Sequence, residues 1–232
     1  MKPRAIFSII LLALSTLLAS AQSKTASAMK KAAPAPTTQF DRNLIKNPGI
    51  EAEGKDSKHV PDWGPVDGLT GVKYGSASGE WDWGLSGCDK CGKRYLRLAF
   101  EGGPQELSVS QTVDVNPSAA DIEKNVVTAS ISAYLGGFHN GDETGTLIAS
   151  FQNASGKELG EIETKPYVPK ELPKAEKGST GLTLCQASGK VPASTKKIVF
   201  TGKVVATGKS SDYLGLGDNF SLVLTKLQPP KS

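Results

Sequence analysis

The stretch DYLGLGDNFSLVL, residues 212–224, ends in a regular alternation of side chains. Phe220, Leu222 and Leu224 occupy every second position, which is the period of a β-strand with one buried face. Asp218 comes just before this alternation, where its carboxylate can reach an N-terminal segment and close the fold. The stretch therefore predicts a closing strand that begins beside an acidic side chain.

Working outward from this strand, the same period-two pattern recurs along the chain, and no window keeps a helical period. Turn-forming residues at 153–156 and 191–195 separate some of the alternating segments, and 118–124 alone resembles a short helical turn. This spacing predicts an all-β fold with two packed antiparallel sheets. The predicted strands lie within 95–100, 107–115, 127–135, 147–151, 182–184 and 198–204.

The N-terminus has the features of a secretory signal peptide over residues 1–21. Lys2 and Arg4 precede an apolar run, and Ala19-Ser20-Ala21 has the small-x-small pattern of a cleavage site. The run is shorter than the roughly 20 apolar residues of a spanning helix, so we expect export and no membrane span after cleavage. Residues 22–39, rich in Ala, Pro, Thr and Lys, predict a disordered spacer, and 228–232 a short tail.

The charge balance argues against a nucleic-acid partner. The whole chain has a formal net charge of +4. All 23 acidic residues lie within 40–227, together with 21 of the 27 basic ones, so this part carries a small negative charge. A nucleic-acid reader is expected to carry a basic stripe on its folded surface, and the sequence shows none.

Several strings, taken in order, resemble the galactose-binding-domain-like β-sandwiches, the jelly rolls that include many carbohydrate-binding modules. The opening NLIKNPGIE at 43–51 matches their N-terminal pattern, with Ile50 where an aromatic is usual, and Trp63 stands where their early tryptophan does. The ending DNFSLVL at 218–224 matches their closing strand. The resemblance implies one antiparallel jelly-roll sandwich over 40–227. Further matching strings are 135–138, 148–160, 180–182 and 191–195.

The resemblance also implies a structural calcium ion between the opening and closing strands. The matching carboxylates are Glu51 and Asp218. Calcium takes roughly six to eight oxygen ligands, so loop carbonyls have to complete the shell. The alternative is that Glu51 accepts backbone hydrogen bonds and Asp218 caps a turn.

The three cysteines suggest one local bridge and one free thiol. Cys88 and Cys91 flank two residues in a loop of an exported chain, which favours a disulfide. A redox motif is one alternative, although such a motif usually opens a helix and this one leads into a strand. Zinc held with Cys185 and a histidine is another. We expect Cys185, at an alternating strand position, to be a buried free thiol.

Aromatic residues with polar neighbours are the candidate ligand-binding groups. Sugars stack their C–H faces on aromatic rings, and their hydroxyls bond to polar side chains. Trp81, Asp82 and Trp83 provide both within one loop, with further candidates at other positions. The alternative is that these tryptophans plug the end of the sandwich, and Trp63 is assigned to the core. The further candidates are Tyr74, Tyr134, Phe138, His139 and Asn140.

Catalysis has little support in the sequence. His59 and His139 are the only histidines, and neither lies in a known nucleophile or metalloprotease motif. We therefore expect no enzyme activity and predict a secreted or extracytoplasmic carbohydrate-binding module. The alternatives are a structural or protein-interaction sandwich of the cell envelope or matrix, with a cell-surface protein as partner, and, more distantly, a glycoside hydrolase.

Overall fold

The fold is known from a computed structural model that describes residues 38–55, 59–64, 66–75, 85, 88, 90–101, 106–138, 143–172, 180–206 and 212–227. Within these residues a 3₁₀ turn at Asn116–Ser118 leads into the short helix α1 (Ala119–Glu123), and a second 3₁₀ turn lies at Pro169–Glu171. The strands are β1 (Leu69–Lys73), β2 (Arg94–Glu101), β3 (Glu106–Asp114), β4 (Val127–Phe138), β5 (Glu143–Gln152), β6 (Glu158–Glu163), β7 (Thr180–Lys190), β8 (Lys197–Ala206) and β9 (Asp212–Lys226).

The strands form two antiparallel sheets that pack face to face. The five-stranded sheet has the order β1-β2-β9-β4-β7, and the four-stranded sheet has the order β3-β8-β5-β6. When β1 at the edge is left aside, each sheet has four strands, and the chain crosses to the other sheet after β2, β3, β4, β6, β7 and β8. The resulting orders, β2-β9-β4-β7 and β3-β8-β5-β6, are those of a jelly roll. The structure confirms the predicted all-β, antiparallel, jelly-roll sandwich.

Each predicted alternating segment lies within or overlaps a strand, and the predicted helical turn is present, but β1 and β6 were not predicted as strands. β1 is short, and its inner position opposite Leu96 is Gly71, against which the Arg94 guanidinium packs. β6 is an edge strand with one buried side chain, Ile162. Neither strand presents a repeated apolar position, so period-two alternation could not reveal them.

Trp63 lies in the core, as predicted, with 1% of its surface exposed. Its ring centroid is 4.6 Å from that of Phe220 and 6.4 Å from that of Phe200. The indole Nε1 donates a hydrogen bond to the carbonyl of Asn47 at 3.0 Å, so the buried polar atom is satisfied. This residue therefore links the N-terminal segment to both sheets.

The N-terminal segment is held to β9 by the side chain of Asn43. Its Oδ1 accepts hydrogen bonds from the N–H groups of Ile45 and Leu222, and its Nδ2 donates to the carbonyl of Phe220. A single amide thus satisfies three backbone groups, which fixes the segment that carries Gly49 and Glu51 beside the middle of β9.

The predicted signal peptide at 1–21, the spacer up to residue 37 and the tail at 228–232 lie outside the described residues. Gln39, at the end of the predicted spacer, already contacts the domain, because its Nε2 donates to the carbonyl of Asp114 at 2.8 Å. In the part of the chain that the structure describes, no helix has the length and apolar character needed to cross a membrane.

Candidate functional site

The five-stranded sheet carries a second apolar cluster on its outer face, away from the core. Leu96 and Leu98 of β2 point into the core, so Tyr95, directly before Leu96, points outward. On β4, Ala133 and Leu135 point inward and Tyr134 outward. We call this group the outer cluster. Its buried members are Val72, Leu85, Tyr95, Leu182 and Leu216, with Tyr74, Ala99 and Tyr134 partly buried against them.

Tyr134 lies where the outer cluster meets polar side chains. Its Cα partners on the neighbouring strands are Leu184, which is 48% exposed, and Asp218. Two residues earlier on β4, and therefore on the same face, Ser132 is paired with Gln186 and Ser221. A partly exposed ring therefore has hydroxyl and amide groups beside it on the same face, which is a combination that can bind a sugar ring.

A β-bulge places Asp218 on this face. Asp218 and Phe220 are two positions apart and would share a face in a regular strand, yet Phe220 packs in the core. The pairing of β4 with β9 shifts between Ser132 and Tyr134, and Asn219 has a positive φ of 51°. The extra residue turns Asp218 outward, and asparagine is a residue type that tolerates this conformation.

The carboxyl of Asp218 is fully buried and bonded on both oxygens. Tyr74 Oη donates to its Oδ2 at 2.7 Å, and the N–H of Asn219 donates to its Oδ1 at 2.6 Å. The pKa of Asp218 is raised to about 6, chiefly by burial and to a smaller extent by the Glu51 carboxylate, while the hydrogen bonds from Tyr74 and Asn219 act in the lowering direction. Burial, followed by the bond to Asp218, raises the pKa of Tyr74, so its hydroxyl stays a donor.

Tyr74 and Leu85 bound the loop that contains the predicted tryptophans. The Tyr74 ring lies 4.8 Å from the Tyr95 ring, and Leu85 is buried in the outer cluster. Both ends of this loop are therefore anchored on the outer face of the five-stranded sheet. The predicted residues Trp81, Asp82, Trp83, His139 and Asn140 lie outside the described residues, as does the side chain of Phe138 at the end of β4.

Glu51 accepts backbone hydrogen bonds, as the alternative to calcium binding anticipated. Its Oε1 accepts from the N–H groups of Lys93 at 2.7 Å and Arg94 at 3.0 Å, at the start of β2. Gly92 allows this approach, because a side chain there would overlap the carboxylate. Glu51 and Asp218 both lie beside Gly49, so the structure brings the two predicted carboxylates into one neighbourhood.

The ligand atoms of the described side chains do not by themselves complete the coordination shell of a calcium ion. One oxygen of Glu51 and both of Asp218 already accept hydrogen bonds from the protein. The other ligand-type atoms beside Asp218 are the sulfurs of Cys88 and Cys91, and calcium takes oxygen ligands. Calcium binding stays a prediction of the sequence.

We expect that removing calcium with EGTA leaves the melting temperature of the oxidised protein unchanged. The reason is that Glu51 and Asp218 are held by hydrogen bonds from the protein itself. Differential scanning calorimetry of protein purified with calcium measures this directly. An ion that binds only the folded state stabilises it by about 2.7 kcal/mol at a hundredfold excess over its dissociation constant. A fall of several degrees in the parent, absent in Asp218→Ala, would instead establish a calcium site completed by loop carbonyls.

The predicted Cys88–Cys91 disulfide is present, and Cys185 is a buried free thiol, also as predicted. Burial raises the pKa of Cys185 to about 11. Among the described residues, the group with metal-ligand geometry joins Cys88 and Cys91 to Asp218, and it does not include Cys185 or a histidine. No local pattern could have revealed this grouping, because Asp218 lies 127 positions after Cys91 along the chain.

Neither a family model nor a curated protein matches the sequence. Solved structures that resemble it include TmCBM61 in complex with β-1,4-galactotriose, with 16% identity, coverage of 78% of this chain and 97% of that one, and a TM-score of 0.42. A cyclase from Fischerella sp. TAU has 12% identity, coverages of 80% and 97%, and a TM-score of 0.49. Every TM-score here is below 0.5. The fold assignment therefore rests on the strand order.

The enzymatically active domain of bacteriophage CBA120 tailspike protein 4 is a third similar structure. It has 10% identity and a TM-score of 0.48, and the match covers 78% of this chain. This chain spans only 21% of the tailspike chain. Binding proteins and enzymes both occur among these structures, so the function has to be argued from the site itself.

Proposed function

We propose that this protein is a non-catalytic carbohydrate-binding module that binds a glycan across the outer face of its five-stranded sheet. The observation that carries the proposal is the environment of Tyr134. Tyr134 is partly exposed and is paired across the sheet with the exposed Leu184, and the next pair on the same face is the polar one of Ser132 and Gln186. A sugar ring stacked on Tyr134 would place its hydroxyls within reach of these polar groups.

The outer face of the other sheet differs in composition. Ser108 and Ser110 on β3 face outward beside Lys203 and Thr201 on β8. Among the described residues, this face carries no aromatic side chain, so it offers no stacking surface for a sugar ring. The contrast supports the five-stranded sheet as the binding face and provides control positions on the opposite side of the same molecule.

The loop between Tyr74 and Leu85 adds to the proposal. Both of its ends are anchored on the binding face, and its sequence contains Trp81 and Trp83. The Cys88–Cys91 disulfide follows directly, beside Asn219. A loop tied at both ends loses less conformational freedom when a ligand binds, which favours affinity. We expect the two tryptophans to extend the stacking surface.

The described acidic groups near this face support binding rather than hydrolysis. A glycoside hydrolase needs two carboxyl groups placed across the scissile bond. Asp218 is buried and bonded to Tyr74, and Glu51 is bonded to the amides that open β2. Both carboxyl groups thus serve the fold. Export fits the disulfide, because such bonds persist in oxidising compartments.

Replacing Tyr134 with alanine is expected to weaken glycan binding by roughly 5- to 150-fold, since loss of a central aromatic contact costs on the order of 1–3 kcal/mol. The ring is only partly buried, so the fold should be retained. A glycan array selects the ligand, and isothermal titration calorimetry measures its dissociation constant. Tyr134→Phe keeps the ring and should retain most of the affinity, and Thr201→Ala on the other sheet should retain all of it.

An equal loss of affinity in Thr201→Ala would contradict the assigned face. Absence of any bound glycan at millimolar concentration would contradict carbohydrate binding altogether. It would leave the second candidate, an interaction surface for a cell-surface protein. That candidate is favoured by the exposure of Leu184, an apolar side chain on the same face.

A further inference from the structure

The Cys88–Cys91 turn and the bulge of β9 bring three metal-ligand side chains together. The two sulfurs and a carboxylate oxygen of Asp218 all lie within 4.8 Å of one another. In a tetrahedral zinc site, with bonds of about 2.0–2.3 Å, ligand atoms are roughly 3.3–3.8 Å apart, so once the disulfide is opened the two sulfurs have to separate from bonding distance to this spacing beside the Asp218 carboxylate. The spacing of two residues between the cysteines is also the one that zinc sites commonly use.

Two polar side chains, Tyr74 and Asn219, lie beside these atoms and can orient them as metal ligands. Tyr74 Oη lies 3.4 Å from Cys91 Sγ, and Asn219 Nδ2 lies 3.6 Å from Cys88 Sγ and 3.9 Å from Cys91 Sγ. Tyr74 also holds Asp218 in place through its 2.7 Å hydrogen bond. Metal ligands are usually oriented by such outer hydrogen bonds, and here they converge from β9 and from the end of β1.

We propose that, once the Cys88–Cys91 bond is reduced, Cys88, Cys91 and Asp218 bind a zinc ion. Thiolate sulfur favours zinc over calcium, and the three side chains leave a fourth position for water. Cys88 and Cys91 are half-buried, so a small reductant can reach them. The site is closed to metal while the disulfide is intact, which makes zinc binding dependent on the redox state.

The chemistry of loading has two steps. A dithiol supplies two electrons and two protons to the Cys88–Cys91 bond, which becomes two thiols while the dithiol becomes a disulfide. The zinc ion then forms bonds to both sulfurs and to Asp218, and the two thiol protons pass to solvent.

The test compares the oxidised and reduced forms of the whole protein. A phosphine reductant opens the disulfide without competing for zinc as a dithiol would, and zinc is then added under anaerobic conditions. After desalting, elemental analysis should find one zinc ion per reduced chain and less than a tenth of that in the oxidised chain. Cobalt(II) in place of zinc should give the absorption bands of cobalt–thiolate bonds.

Three variants make the result specific. Asp218→Asn should weaken zinc binding at least tenfold, and Cys88→Ser should abolish it. Cys185→Ala should bind as the parent does, because Cys185 lies in the core and outside the proposed site. Near-ultraviolet circular dichroism confirms that each variant is folded, and Asp218→Asn, which keeps both cysteines, carries the test if Cys88→Ser does not fold.

Several results would overturn the proposal. These are a reduced parent that stays folded and binds no zinc, a reduced parent that unfolds, equal binding by the oxidised form, or loss of binding in Cys185→Ala. The first would leave the disulfide with a structural role alone. None of these results depends on whether a glycan binds, so the two proposals can fail separately.

Discussion

Replacing Trp63 with alanine is expected to lower the free energy of unfolding by about 3–5 kcal/mol, the usual cost of deleting a buried aromatic ring. The ring fills the space between Phe200 and Phe220, and its removal leaves a cavity there. The carbonyl of Asn47 also loses its hydrogen-bond donor. Because Asn47 belongs to the N-terminal segment, the variant should loosen the attachment of that segment to β9.

Urea unfolding followed by circular dichroism measures the change in the midpoint and slope. Trp63→Phe is the matched control, since it keeps an aromatic ring and should cost clearly less. A loss below about 1 kcal/mol in Trp63→Ala would mean that the ring does not organise the core, because truncations of fully buried aromatics are rarely so mild. Glycan binding by Trp63→Ala under native conditions should stay close to that of the parent.

Gly136→Ala is expected to cost about 3 kcal/mol of stability, at the upper end of the usual range for overpacking. A β-carbon on Gly136 would overlap the backbone carbonyl of Gly181 on the neighbouring β7 and approach the Cα of Leu182. Both obstacles are backbone atoms, which cannot rotate away as a side chain would. The two strands would have to separate, with loss of ladder hydrogen bonds between β4 and β7.

Gly202→Ala provides the matched comparison within β8. A β-carbon there would be 3.4 Å from Phe220, 3.6 Å from Val109 and 3.9 Å from Leu147, which are contacts with side-chain atoms at ordinary packing distances. We expect this variant to change the free energy of unfolding by less than about 1 kcal/mol, in line with a well-tolerated change of volume. Equal costs in the two variants would show that close approach of the strands at Gly136 is not the cause.

The sheets and the core could be predicted from the sequence because period-two alternation records which side chains face inward. Phe220, Leu222 and Leu224 are all buried, as their spacing predicted. The alternation fails where the backbone departs from a regular strand. At Asn219 the bulge changes the face, so Asp218 lies on the outside of the sheet, and no pattern in the sequence marks this change.

The candidate site was only partly predictable, because its contacts join residues that are distant in the chain. Tyr74 and Tyr134 were predicted from residue type, and the structure brings both to the outer cluster. The hydrogen bond from Tyr74 to Asp218 spans 144 positions. Glu51 also contacts residues that are distant in the chain. The resemblance matched its carboxylate to a metal, whereas in the structure it accepts hydrogen bonds from the N–H groups of Lys93 and Arg94.

Amide chemical shifts of the isotope-labelled protein, recorded during titration with the glycan that the array selects, test the proposed binding face most directly. The account predicts that the largest shifts cluster on the outer face of the five-stranded sheet, at Tyr134, Leu184 and Gln186, and that Thr201 is unaffected. Shifts centred on Ser108, Ser110 and Thr201 of the four-stranded sheet, or no shifts at millimolar glycan, would contradict it.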